Sequence, residues 1–101
     1  MKILVVEDNP VNAEMMRHSL EKERYETVLA KDGEEALALL AEHPEVDLVI
    51  TDVMMPTMSG HDFVLLLRAN RETADLPVVF FTATHRVPEA RRLAQACGVT
   101  G

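Results

Sequence analysis

The chain predicts a three-layer α/β fold, a doubly wound parallel sheet with helices on both faces. Three observations predict it. Short β-branched runs alternate with longer amphipathic stretches along all 101 residues, the pattern of βαβ units. The runs Ile3-Leu4-Val5-Val6, Val46-Asp47-Leu48-Val49-Ile50-Thr51 and Val78-Val79-Phe80-Phe81 are near-continuously apolar rather than alternating, as strands buried on both faces are. Each of them ends in a polar group: Glu7-Asp8, Asp52 and Thr82. Parallel strands would bring those groups to one edge, where open α/β sheets bind ligands.

Strand one is expected at Lys2–Val6. Asn9 can cap a helix, and Pro10 suits its first turn, where a missing N–H costs nothing. Helix one then runs to about Lys22, with Val11, Met15 and Leu20 facing inward. Strand two, Glu26–Ala30, is more mixed and suits a sheet edge. Asp32-Gly33 is a turn signal. Helix two follows from Gly33 to Glu42, with Ala36, Leu37 and Leu40 at helical spacing and Pro44 ending it. Strand three is Asp47–Thr51. Helix three begins near Gly60 and presents Phe63, Leu66 and Leu67. Strand four is Pro77–Phe81, with the proline at the tolerated first position. Helix four spans about Pro88–Ala96, Gly98 is a natural stop, and Val99-Thr100 could open a fifth strand. Right-handed crossovers give the spatial order 2-1-3-4. Strands one and three are then neighbours at the point where the winding reverses, and Asp8 comes beside Asp52.

The length makes residues 1–101 one domain. An apolar share of 48% and a charged share of 27% place it among ordinary globular domains. A net charge of −7 argues against a nucleic-acid surface, which wants clustered Lys and Arg. Cys97 is the only cysteine, so no intrachain disulfide can form, which is compatible with a reducing cytosol. It reads as a small apolar residue near a helix end rather than a reactive thiol. No apolar run is long enough to span a bilayer. The opening apolar run stops at Glu7, too soon for a signal-peptide core, so the expected location is cytoplasmic.

Acids crowded at one sheet edge repel unless a cation sits between them. Mg2+ takes a few carboxylates and keeps several waters. Asp8 and Asp52 would supply two oxygens, the backbone carbonyl of Met54 a third, and Glu7, with its longer arm, would bind through water. The ion would keep Asp52 ionised and hence nucleophilic. An incoming phosphoryl group would share it, and the product would be an acyl phosphate on Asp52. The Thr82 hydroxyl would donate to a phosphoryl oxygen and turn a new charge into a change of shape. Any one of these residues alone reads as a turn former, a cap or the polar start of a loop. The joint pattern at three neighbouring strand ends is what points to chemistry.

These motifs resemble the receiver domain of two-component response regulators. The matching pieces are Lys2-Ile3-Leu4-Val5-Val6-Glu7-Asp8-Asn9, Asp32-Gly33-Glu34-Glu35-Ala36-Leu37 and the block from Asp47 to Gly60. Leu76-Pro77-Val78-Val79-Phe80-Phe81-Thr82-Ala83 and Ala96-Cys97-Gly98-Val99 complete them in order. The resemblance implies a flavodoxin-like fold. It implies that Asp52 accepts a phosphoryl group from a phosphohistidine on a sensor histidine kinase or histidine phosphotransfer protein. It implies that Glu7, Asp8, Asp52 and the Met54 carbonyl organise Mg2+, and that Thr82 is the switch hydroxyl. Helix one, with Val11 and Met15, is where the family docks its phosphodonor. Met54 and Thr84 lie where the family tunes the phosphate's lifetime.

The chain departs from the family after Val99-Thr100-Gly101. The family's fifth strand carries an aromatic switch residue and a Lys, and a fifth helix follows. Here the fifth strand and fifth helix are missing or incomplete, and the only lysines are Lys2, Lys22 and Lys31, none after a core strand. The expectation is a C-terminally incomplete sequence that phosphorylates poorly as written. It would have a bare strand-four edge open to pairing with a second copy.

Other readings are weaker. His18, His43, His61 and His85 lack metal-ligand spacing, and Cys97 does not complete one. The Met54, Met55 and Met58 cluster reads as core filler or partner surface, and Arg86, Arg91 and Arg92 as a solvated helix face. The first alternative function is a phosphate-independent binding module on the same fold. A Mg2+-dependent phosphohydrolase with an aspartyl nucleophile would want an acid two residues past Asp52, where Met54 stands. A flavin-binding protein would need a hydroxyl-rich loop where Glu7-Asp8-Asn9-Pro10 stands.

Overall fold

A computed structural model of the chain describes residues 1–52 and 60–81. Four strands, β1 (Lys2–Val6), β2 (Glu26–Ala30), β3 (Leu48–Asp52) and β4 (Val78–Phe81), alternate with three helices, α1 (Pro10–Lys22), α2 (Gly33–Glu42) and α3 (Gly60–Ala69). The strands form one sheet in the expected order, β2-β1-β3-β4. All three pairings are parallel, and the registers set Val6 beside both Ala30 and Thr51, and Asp52 beside Phe81. Met54, Thr82, Thr84, the arginine cluster, Cys97, helix four and the fifth-strand segment lie outside the described residues.

Two strand starts fall one residue later than the sequence suggests. Asp47 N–H still donates to Lys2 O at 2.8 Å, but the Asp47 carboxylate accepts the Lys2 N–H at 3.0 Å, where a ladder bond would use a backbone carbonyl. Pro77 has no N–H to give and enters only as an acceptor, from Val49 N–H at 3.0 Å. At its other end β3 extends through Asp52, which is therefore held by the sheet itself.

Strand side chains alternate between faces, and each face has its own cover. Ile3, Val5, Leu48 and Ile50 pack with Met16 and Leu20 of α1. Leu4, Val6 and Val49 pack with Ala36 and Leu40 of α2 and with Phe63 and Leu67 of α3. This is the three-layer, doubly wound arrangement, with the reversal between β1 and β3.

Two helix faces correct the expectation. Val11 and Met15, expected inward, are 66% and 52% exposed; Ala13, Met16 and Leu20 form the buried stripe of α1. Leu66 of α3, expected inward, is 47% exposed, whereas Phe63 and Leu67 are fully buried. Adjacent residues of a helix sit 100° apart, so only one of each neighbouring pair can face the sheet. The spacing to Ala13 and Leu20 selects Met16, and the spacing to Phe63 selects Leu67.

Local chemistry sets the helix ends. Asn9 Oδ1 accepts from Val11 N–H at 2.9 Å and Asn12 N–H at 3.2 Å, with Pro10 in the first turn. At the far end of α1, Arg24 N–H donates to Glu21 O and Tyr25 N–H to Leu20 O, and Arg24 takes the left-handed φ of 69°. This is a Schellman stop with an arginine where glycine is usual. Asp32 Oδ1 accepts Glu35 N–H at 2.9 Å and caps α2, while Glu35 Oε1 reaches back to accept the N–H of Lys31, the residue before the cap, at 2.8 Å.

Candidate metal centre

β1 and β3 are neighbours, and the acids that follow or end them share one edge. Glu7 comes directly after β1, and its N–H donates to Ala30 O at 2.9 Å, which prolongs the pairing with β2. That bond fixes the backbone from which the Glu7 and Asp8 side chains depart. Glu7 Oε1 accepts Asn9 N–H at 3.1 Å, so the acid and the cap of α1 form one local unit. On β3, the buried Thr51 hydroxyl donates to Asp52 O at 3.1 Å, which further ties down the strand end.

One carboxylate oxygen from each of Glu7, Asp8 and Asp52 lies within 4.8 Å of the other two. Glu7 is 1% exposed and Asp52 5% exposed, whereas Asp8 is open to solvent. Two acids so deeply buried and so close are costly, because water is removed from charges of like sign. A doubly positive ion offsets both costs at once. The donor set is all oxygen, which suits a hard cation such as Mg2+ better than softer metals that favour imidazole or thiolate. Oxygens spaced up to 4.8 Å apart admit an ion held partly through water, in keeping with the reluctance of Mg2+ to shed its shell. The residues present therefore fit the ion. The exposed Asp8 gives it an approach from solvent.

The expected juxtaposition of Asp8 with Asp52 is present, and Glu7 joins them. The other two expected contributors, Met54 and Thr82, are outside the described residues. Phe81, the last described residue, is the register partner of Asp52.

Sequence reasoning set aside one neighbour, Lys31, because it follows no core strand; it follows the edge strand β2. A cavity of about 320 Å³ adjoins the acids and is lined in part by Glu7, Asp8, Lys31 and Glu35. Lys31 directly follows β2, whose C-terminal end lies at the same sheet edge. The signal was available, because a residue just past any strand of a parallel sheet reaches that edge.

Comparison with known proteins agrees with this geometry. The family model described as "Response regulator receiver domain" matches residues 3–100. The chain is 33% identical over 93 residues to the polar-differentiation response regulator DivK of Brucella ovis, covering 92% of this chain and 75% of that protein. It is 36% identical over 96 residues to a probable cyclic di-GMP phosphodiesterase of Vibrio cholerae, covering 95% of this chain but only 21% of that protein. Among solved structures, the chemotaxis response regulator CheY4 of Vibrio cholerae superposes with a TM-score of 0.74 at 36% identity, over 96% of this chain and 79% of that one. The response regulator TrrA of Thermotoga maritima, in complex with Mg(2+)-BeF, gives 0.73 at 36% identity, over 81% of this chain and 69% of that one. With its sheet order, its acidic strand ends and a family match over nearly its whole length, the chain belongs to the response regulator receiver domain family.

Proposed function

We propose that Asp52 is the phosphoacceptor of a two-component relay and that Glu7, Asp8, Asp52 and the Met54 carbonyl hold Mg2+ beside it. The observation that carries this reading is the convergence of one carboxylate oxygen each from Glu7, Asp8 and Asp52 within 4.8 Å at the ends of β1 and β3. The donor is a phosphohistidine on a sensor histidine kinase or a histidine phosphotransfer protein. An Asp52 oxygen attacks phosphorus as the P–N bond breaks, and the electron pair returns to the imidazole ring. When bound, Mg2+ neutralises charge on the carboxylates and on the phosphoryl oxygens. Glu7 and Asp8 supply the negative charge that retains such an ion, and the sheet fixes the attacking group in place. Thr82, next in the chain after the register partner of Asp52, would donate its hydroxyl to the new phosphoryl group. The domain's chemistry is confined to its own phosphorylation and dephosphorylation, within residues 1–101 as one receiver. A cytoplasmic setting follows from the phosphohistidine donor, and no helix among the described residues is long and apolar enough to cross a membrane.

Incubation with Mg2+ and acetyl phosphate, followed by intact-mass measurement, tests the assignment. The expected product is a single phosphoryl adduct, stable in acid and labile in base, that is absent from Asp52→Asn. An adduct that persists in Asp52→Asn would place the acceptor elsewhere.

A further inference from the structure

Lys31 differs from Lys2, Arg17 and Arg68 in what engages its side chain among the described residues. Lys2 is paired with Glu45, Arg17 with Glu14 and Glu21, and Arg68 is engaged by backbone carbonyls. Among the described residues no ion pair engages the Lys31 ammonium, and Lys31 is the one cation lining the cavity that Glu7 and Asp8 share. Its backbone is fixed on both sides: Ala30 O accepts from Glu7 N–H at 2.9 Å, and its own N–H donates to Glu35 Oε1 at 2.8 Å. The side chain is exposed, which leaves the ammonium free to turn over the cavity mouth.

We propose that Lys31 is an electrostatic positioning residue of the acidic site, which draws the anionic phosphodonor in while holding back the affinity for Mg2+. The proposal rests on the reading of Asp52 as the acceptor. Its logic is one of sign. A fixed positive charge attracts an incoming phosphoryl dianion and repels a divalent cation, so its removal must move the two in opposite directions. Two strand spacings, roughly 10 Å, separate the end of β2 from the end of β3. At that range in a watery cleft, one unit charge changes the binding of a doubly charged species by about two- to fivefold. A role in folding alone would not produce opposed effects.

The test uses the full chain, with Lys31→Met, Lys31→Glu and Lys31→Arg. Lys22→Met serves as a control that removes the same charge from the last residue of α1. Calorimetry reads the Mg2+ dissociation constant, and intact mass reads the rate of adduct formation from acetyl phosphate at saturating Mg2+. Lys31→Met is expected to tighten Mg2+ by about two- to fivefold and to slow adduct formation by a similar factor. Lys31→Glu should move both further, Lys31→Arg and Lys22→Met should leave both near wild type, and high salt should shrink the differences. Both quantities moving together, or neither moving while wild type binds Mg2+ and forms the adduct, overturns the Lys31 proposal alone. A wild-type chain that does neither overturns the acceptor reading and this proposal with it.

Discussion

At the scale of single residues, the acidic cluster sets stability against chemistry. Glu7 and Asp52 are almost fully buried within 4.8 Å of each other, so without a cation their mutual repulsion weakens the fold. Asp52→Asn removes one of these charges and keeps the shape. In EDTA it should raise the urea midpoint, by about 1–2 kcal/mol of stability. It should also lose most of the stabilisation that Mg2+ gives the wild type. A midpoint that falls in Asp52→Asn would mean that the carboxylate is satisfied without an ion. The placement of this residue beside Glu7 and Asp8 was legible in the sequence because three features coincided: a buried strand, an acid at its end and two further acids after the neighbouring strand. The burial of Glu7 was not legible. Its longer arm read as reaching through water. In the structure Glu7 is buried beneath the cap of α1 and accepts the Asn9 N–H, and it is Asp8 that faces solvent.

At the scale of elements, the sequence specified strands better than helix faces. Unbroken apolar runs mark buried strands, and all four strands fell within one residue of their expected bounds. Neighbouring apolar pairs on helices, Met15-Met16 and Leu66-Leu67, carry no such mark, and packing against the sheet chose between them. Phe63, fully buried against the β1, β3 and α2 side chains, should be the most sensitive position of α3; Phe63→Ala should cost about 3–5 kcal/mol in urea denaturation. Arg24→Gly should do the opposite. Arg24 holds a left-handed φ of 69° at the stop of α1, where a side chain is unfavourable, and glycine should stabilise by roughly 1 kcal/mol. Arg68 binds α3 to the segment that feeds β4, its Nη1 donating to Thr73 O, Ala74 O and Leu76 O at 3.2, 2.9 and 2.7 Å. These bonds are solvent-exposed, so Arg68→Ala should cost only about 1–2 kcal/mol. Because β4 supplies the register partner of Asp52, it should also slow adduct formation.

At the scale of the whole molecule, charge is divided between the two edges of the sheet. The edge at the strand C-termini gathers the acids Glu7, Asp8 and Asp52. The opposite edge holds a closed cluster in which Lys2 Nζ donates to Glu45 Oε2 at 2.7 Å, with His43 Nδ1 3.3 Å from the same oxygen. The Lys2 bond, followed by Glu45's backbone bond and His43, lowers the Glu45 carboxyl from its ordinary 4.5 to about 2. The folded value lies below the unfolded one, so the unfolded chain binds the extra proton between these limits. Glu45 therefore adds stability that is present above about pH 4.5 and is lost as pH falls toward 2. A Glu45→Gln variant should show a shallower decline across that window in pH-dependent melting, and added salt should narrow the difference from wild type.

The most direct test of the central claim is calorimetric titration of the chain with Mg2+ at neutral pH. One ion should bind per chain, and Asp8→Asn should weaken or abolish that binding while leaving the folded far-ultraviolet spectrum unchanged. No heat of binding to a folded wild-type chain, or undiminished binding in Asp8→Asn, would contradict it.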